Sequence, residues 1–421
     1  MHWQLVTLAL ILLGFAAVSG RIEGTPITAA MLFTAAGLVV GVDALDLIDP
    51  GAERLEVEVF AEATLGVVLF SDAARIDLAA LRRSLHIPTR LLGIGLPLTI
   101  VAGFAVALVV LPDLAWPEAL LVAIILAPTD AALGQAVVTS KRLPVRIRQS
   151  LNVEAGLNDG ICVPLFLIAL AIALAQDGAI GHGHAVQLVF EKIGYGVVMG
   201  VLAGALAAAV VVHGTARKFI DDTWLQVVPL AGALLAFTLA EAIGGSGFIA
   251  AFVGGMAFGG MRRGHGGEVL HLIEQTGAVL AAVTFVLFGA VLLGPAIRDL
   301  TWQIALYAVL SLTAIRMIPV AISMLGTGMR RPTVAFLGWF GPRGAASLVF
   351  ALLVLEEEDA LPHENAILTA SFVTIGLSVL AHGLTAAPLA ERYADWHDAR
   401  ASETPVESDE EEELPWRLQA R

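Results

Sequence analysis

Two carboxylates and an amide stand where hydrocarbon is expected: Asp130 in Leu126-Ala127-Pro128-Thr129-Asp130, and Asn158 with Asp159 in Leu157-Asn158-Asp159-Gly160, each inside a long apolar stretch. A charge at membrane depth costs roughly 3 kcal/mol or more, so such residues are candidate functional groups by default. One carboxylate can hold a proton or a small hard cation, but hardly both at once. Carboxylate, hydroxyl and carbonyl oxygens suit such ions, and Thr129 with the backbone opened by Pro128 supplies the last two kinds. A carboxylate removed from water favours its proton, and a bound cation opposes protonation. Competition at Asp159 would then couple inward and outward fluxes, which is ion exchange.

The elements that must position these groups are membrane helices. The 421 residues are 57% hydrophobic and 15% charged, far from the roughly 25% charged of soluble domains. Apolar stretches near the ~20 residues of a spanning helix recur along nearly the whole chain. We read an all-α polytopic membrane protein with about thirteen transmembrane helices. They are Trp3–Ser19, Ile27–Val42, Leu55–Phe70, Leu91–Leu111, Trp116–Val138, Leu151–Leu174, Ala185–Val212, Trp224–Ile243, Phe248–Met261, Ile273–Leu293, Trp302–Leu325, Val334–Leu355 and Ala366–Leu389. The first lacks the basic n-region and cleavage site of a signal peptide and is read as a helix.

With the amino terminus outside, most of the 24 Lys and Arg residues fall on cytoplasmic segments, as positive-inside bias requires. The expectation is a multi-pass protein of the cell (inner) membrane with its carboxy terminus in the cytoplasm. The net charge of −14 owes much to Glu407-Ser408-Asp409-Glu410-Glu411-Glu412-Glu413, within an acidic cytoplasmic tail over 390–421 that is expected to be disordered. The single Cys162 lies inside a span, so no disulfide framework exists. The absence of a Walker-type phosphate loop argues against ATP-driven pumping, and nothing points to nucleic acid.

An odd number of spans suggests two inverted six-helix repeats, spans one to six and eight to thirteen, joined by a linker helix. The fifth and twelfth spans then occupy equivalent positions. Both are interrupted, by Pro128-Thr129 and by Gly341-Pro342-Arg343-Gly344, which makes them discontinuous helices expected to cross at the midplane. Proline removes a donor and clashes with the preceding turn, so each break leaves main-chain groups for protein, water or an ion to satisfy. On the sixth span, ~100° per residue puts Glu154 and Asn158 near one face and Asp159 well around from Glu154. An arginine in the membrane needs a partner. We read Glu154 and Arg316 as a structural ion pair; Arg343 either compensates the carbonyl ends at the twelfth-span break or approaches one of the acids.

The Pro128-Thr129-Asp130 break, the Glu154…Asn158-Asp159-Gly160 helix, the Arg316 helix and Gly341-Pro342-Arg343-Gly344 together resemble the NhaP-like sodium/proton antiporters of the monovalent cation:proton antiporter superfamily. The resemblance covers essentially the whole membrane part, residues 1–389. It implies a secondary transporter and not an enzyme, with no cofactor, exchanging Na⁺ (or Li⁺) for H⁺ in pH homeostasis and sodium tolerance. It implies a homodimer in which a core, about 90–175 and 301–389, moves elevator-like against a dimerisation part, about 1–72 and 223–294, with a linker helix at about 185–213. Asp159 would be the ion- and proton-binding carboxylate, with Na⁺ at Asp159 and Thr129. Asp130 and Asn158 would support the crossing, and Glu154 would pair with Arg316. Asn158 marks the electroneutral branch of one cation per proton. Ala155 departs from the pattern: many members carry a serine there, so a candidate hydroxyl ligand is missing and selectivity is in question. Relatives can also carry an acid on the third span near a cytoplasmic funnel; Asp72 and Glu62 are the candidates here, Asp72 the first of them.

Rival readings are a K⁺/H⁺ antiporter, which uses the same carboxylate chemistry, and an intramembrane aspartyl protease with Asp130 and Asp159 sharing a proton. The protease reading fits neither the Asn158-Asp159-Gly160 context nor the second broken helix. His182 and His184 are either a pH sensor or an ordinary loop, and Glu356-Glu357-Glu358-Asp359 either a cation-concentrating patch or a solvated turn. Glu62 and Glu241 read as helix-end or seam residues. Gly200…Gly204 and Gly255…Gly259…Gly260 mark close helix contacts, within the chain or at a dimer seam.

Overall fold

The computed structural model describes residues 2–22, 25–47, 54–75, 86–130, 133–176, 182–262, 267–355 and 361–399, and every regular element among them is helical. The helices are α1 His2–Ile22, α2 Ala29–Val40, α3 Arg54–Arg75, α4 His86–Val110, α5 Trp116–Ile125, α6 Gln135–Val138, α7 Val145–Gln176, α8 His182–Ala216, α9 Asp222–Ala242, α10 Gly247–Met261, α11 Glu268–Arg298, α12 Trp302–Leu312, α13 Ala314–Ser323, α14 Arg331–Trp339, α15 Ala345–Leu355 and α16 Glu364–Asp398. A segment in lipid must satisfy its own backbone groups, and a helix is how an apolar run does so. Eight helical stretches among the described residues are long and apolar enough to cross a membrane, with α2, α5, α10 and α15 as shorter apolar helices. The third expected span is helical, but Arg54, Glu56, Glu58, Glu62, Asp72 and Arg75 leave it amphipathic, outside both groups.

Two long helices contain a widened π turn, Leu91–Gly95 in α4 and Phe288–Leu293 in α11. Each ends two residues before a proline, Pro97 or Pro295. A proline ring clashes with the carbonyl one turn back, and widening that turn admits the ring while keeping the helix whole.

Close contacts divide the chain into two compact units, taken over their described residues. The first comprises the described residues of Met1–Ala61, His86–Asn158 and 281–399, and the second those of Glu62–Leu85 and Asp159–Leu280. The α1–α2 pair falls with the broken helices, and α7 runs from the first unit into the second after Asn158.

In the second unit, α8 and α10 touch backbone to backbone. A Cβ on Gly200 would strike the Ala250 carbonyl, and one on Gly204 the Gly254 carbonyl. Gly255 and Gly259 meet the carbonyls of Phe70 and Ala74 on α3 in the same way. Four of these glycines are therefore occupied by contacts within the chain, whereas Gly260 faces open space. Glu241 accepts from Gly247 N–H at 2.7 Å and closes the start of α10, the helix-end role its position suggested.

In the first unit, α2 lies against the π turn of α11. A Cβ on Gly37 would overlap the Val286 carbonyl, and one on Gly289 the Thr34 carbonyl. Neither neighbour is a flexible side chain, so the helices themselves would have to part. Gly289→Val is expected to cost roughly 1–3 kcal/mol, read as a lower thermal midpoint in detergent; an unchanged midpoint would show that this contact is dispensable.

Candidate ion site at crossing helix breaks

The fifth span stops where the sequence says it must. Leu126 N–H still reaches Val122 O, Ala127 N–H turns back to Ile124 O, and Pro128 has no proton to continue the ladder. The twelfth span stops likewise: Phe340 N–H bonds Phe336 O, Gly341 N–H bonds Trp339 O, and Pro342 follows. The two breaks meet. Asp130 N–H donates to Pro342 O at 2.7 Å, and Ala345 N–H donates to Asp130 Oδ2 at 3.0 Å. The Asp130 carboxylate thus caps the amino terminus of α15, where bare N–H groups and the positive dipole end favour an anion. A Cβ on Gly344 would overlap that carboxylate, so the approach needs glycine.

A third break, at Thr313 (φ −112°, ψ −95°), divides the eleventh span into α12 and α13 and was not anticipated. It releases Ser311 O from the helical ladder. Arg343, fully buried, takes up this carbonyl and two others: Nη2 donates to Ser311 O at 3.1 Å, Nε to Leu126 O at 2.8 Å, and Nη1 to Gly341 O. One guanidinium therefore serves the carbonyl ends of three interrupted helices, each equivalent to about half a negative charge. Of the two alternatives for Arg343, its hydrogen bonds correspond to compensation of carbonyl ends.

Glu154 on α7 and Arg316 on α13 are both buried, with Nη2 and Oε1 2.6 Å apart. A Cβ on Gly341 would press on the Arg316 side chain, which gives this glycine a packing reason as well. One turn along α7, Asn158 donates from Nδ2 to Thr129 Oγ1 at 2.6 Å and ties the helix to the first break. Its Oδ1 is buried with no hydrogen-bond partner among the described residues. Asp159 follows at once and is 8% exposed.

Between α7 and the two breaks lies a cavity of about 20 Å³, bordered by Thr129, Asp130, Leu151, Ala155, Phe340 and Pro342. That is room for about one water. Its side-chain polar residues are Thr129 and Asp130, and Ala155 contributes a methyl where a serine would bring a hydroxyl.

Asp72 belongs to the second unit. It is 4.0 Å from Arg75 Nη1, and Arg75 Nη2 is 2.7 Å from Glu274 Oε1. Its sequence assignment as a funnel acid gave no hint of Glu274. Sequence reasoning also missed Glu118, which is buried and holds Ala115 N–H and the backbone and ring of His363. It missed Ser378 and His382 on α16, which bond to the second break. The signal present for these was a polar stripe, Ser378, His382 and Thr385, at helical spacing in an apolar run. The Glu356–Asp359 run, the tail from 400 onward and the side chains of His182 and His184 lie outside the described residues.

The fold is that of a solved structure of the sodium proton antiporter MjNhaP1 from Methanocaldococcus jannaschii, with a TM-score of 0.76 over 93% of this chain and 98% of that one at 20% identity. Among curated relatives, a Na⁺/H⁺ antiporter of Schizosaccharomyces pombe is 26% identical over 357 residues, 77% of this chain and 73% of that protein. A K⁺/H⁺ antiporter NhaP2 of Shewanella oneidensis is 27% identical over 378 residues, 87% of this chain. The chain spans 63% of that protein's length, just under two thirds. A family model described as sodium/hydrogen exchanger, transmembrane, matches residues 6–392. The chain is a multi-pass membrane protein and belongs to the sodium/hydrogen exchanger family.

Proposed function

We propose that this chain is a secondary transporter exchanging Na⁺ (or Li⁺) for H⁺, by competition of cation and proton at Asp159. The observation that carries the reading is the crossing itself. Two interrupted helices of a membrane protein are held together at Asp130, with Asn158 bonded across to Thr129 and a buried carboxylate at the next position. An enzyme active site or an ATP-driven pump has no use for that arrangement, whereas an exchanger needs a titrating acid at membrane depth. In this reading Thr129 and Asp159 hold the cation. Asn158, an amide in place of a second acid, leaves one titrating group per cation, so exchange is electroneutral. Asp130 serves the crossing as a helix cap, Glu154 and Arg316 lock α7 to α13, and Arg343 neutralises the helix ends. A homodimer, elevator-type movement, an outside amino terminus, the cell membrane and a funnel role for Asp72 belong to the same proposal.

Exchange of K⁺ is the second reading. It is favoured by the match to proteins named K⁺/H⁺ antiporter and by the methyl of Ala155 at the cavity border, which spares a ligand that a small ion would use.

Purified protein in liposomes is expected to dissipate an imposed pH gradient when Na⁺ is added, at a rate independent of membrane voltage, with Li⁺ and K⁺ compared in the same vesicles. Asp159→Asn should abolish this flux while the protein elutes and melts like the parent. Retained cation-dependent proton flux in that variant would move the site elsewhere, and a voltage-dependent rate would refute electroneutrality.

The buried ion pair has a different signature. Glu154→Gln leaves Arg316 charged and unpaired, and loss of one partner of a buried pair costs roughly 3–5 kcal/mol. A marked fall in thermal midpoint is expected for Glu154→Gln and for Arg316→Met, with partial recovery in the double variant. Wild-type stability combined with lost transport would instead make the pair part of the ion path.

A further inference from the structure

The second break is held from two sides. On one side, Pro342 O and Ala345 N–H grip Asp130, and the Arg343 side chain grips Leu126 O. On the other lies α16, with a polar stripe that the exchange chemistry leaves unexplained. Arg343 N–H donates to Ser378 Oγ at 2.7 Å. His382 Nδ1 lies 3.1 Å from Ser378 Oγ, and Nε2 lies 2.9 Å from Trp339 O. Trp339 Nε1–H in turn donates to Thr385 Oγ1 at 2.9 Å. Ser378 and His382 are fully buried, and the His382 and Trp339 rings lie 5.1 Å apart.

In the neutral imidazole with its proton on Nε2, facing Trp339 O, which can only accept, Nδ1 accepts from the Ser378 hydroxyl, whose oxygen accepts from Arg343 N–H; the Ser378 carbonyl lies equally close to Nδ1, at 3.1 Å. Trp339, the last residue of α14, and Arg343, within the non-helical stretch 340–344, are thereby clipped to a single helix through one imidazole and one hydroxyl. Without the clip, buried groups of that stretch would lose their partners, and the stretch could slide relative to Asp130 and Thr129 on the opposite break.

We propose that His382, acting through Ser378 and Trp339 O, is a positioning residue that sets the register of the second break against Thr129 and Asp130, and so sets cation affinity. The proposal rests on the exchange reading for its functional consequence, but the clip itself does not. The test uses full-length protein carrying His382→Leu, which keeps volume and removes both polar contacts, or His382→Gln, which restores a donor near Nε2. Two quantities are measured. One is the half-saturating Na⁺ concentration for proton flux in liposomes, and the other is hydrogen–deuterium exchange of peptides covering 339–345 in detergent.

His382→Leu is expected to raise the half-saturating concentration roughly tenfold, the equivalent of one buried hydrogen bond, with maximal rate changed far less. Amide exchange in 339–345 should quicken by about tenfold or more. His382→Gln should bring both quantities most of the way back. Unchanged amide exchange in His382→Leu overturns the clip, and quickened exchange with an unchanged half-saturating concentration overturns its role in affinity. If the parent protein moves protons with none of Na⁺, Li⁺ or K⁺, the exchange reading and the affinity role fail together, and amide exchange alone decides the clip. If His382→Leu does not fold, Ser378→Ala, which removes only the hydroxyl link to the Arg343 amide, is judged by the same two measurements.

Discussion

Arg343 donates to the carbonyls of Ser311, Leu126 and Gly341, and without it three helix ends would present bare acceptors to a medium that has no water to offer. Unsatisfied backbone groups in a bilayer cost several kcal/mol each, so helices can be interrupted at this depth only where something fixed replaces the lost ladder. The guanidinium is suited to that work because it stays charged and offers five donors in a rigid fork. Asp130 is its counterpart: an acid at the amino terminus of α15, as Arg343 is a base at three carboxy-terminal ends. The glycine at 344, which lets α15 approach the Asp130 carboxylate, belongs to the same junction.

The junction also separates duties among the acids. Glu154 is engaged with Arg316, and Asp130 with the Ala345 amide. Both contacts hold elements together, so a change of protonation at either would loosen the crossing. In the exchange proposed above, titration falls on Asp159, which takes part in neither of these two contacts. A rigid frame of paired charges around one exchanging acid is what a coupled transporter needs, because a second titrating group would blur the stoichiometry.

Much of this was legible in the sequence where residue chemistry allowed few structural answers. Pro128 and Pro342 cannot continue a helix, so both breaks could be located by residue. Glu154 and Arg316 are too costly to bury apart, so their pairing could be argued without coordinates. The break at Thr313 was hidden because Leu310-Ser311-Leu312-Thr313-Ala314 contains neither glycine nor proline, and the Ser311 carbonyl there is bound by Arg343, some thirty residues away in the chain. The stripe of Ser378 and His382 was likewise unreadable as a site, since polar residues at helical spacing acquire meaning only from the element they face. The small-residue patterns on α8 and α10 left two partners possible, and packing within the chain occupies Gly200, Gly204, Gly255 and Gly259.

The central claim is that one carboxylate binds either a proton or a cation. Its most direct measurement is proton release on Na⁺ addition to purified, weakly buffered protein, titrated across pH alongside the apparent Na⁺ affinity. Competition at Asp159 requires about one proton released per cation bound where the site is protonated, and an apparent affinity that weakens about tenfold per pH unit below its ionisation. Na⁺ binding that releases no proton and keeps the same affinity at every pH would contradict the account.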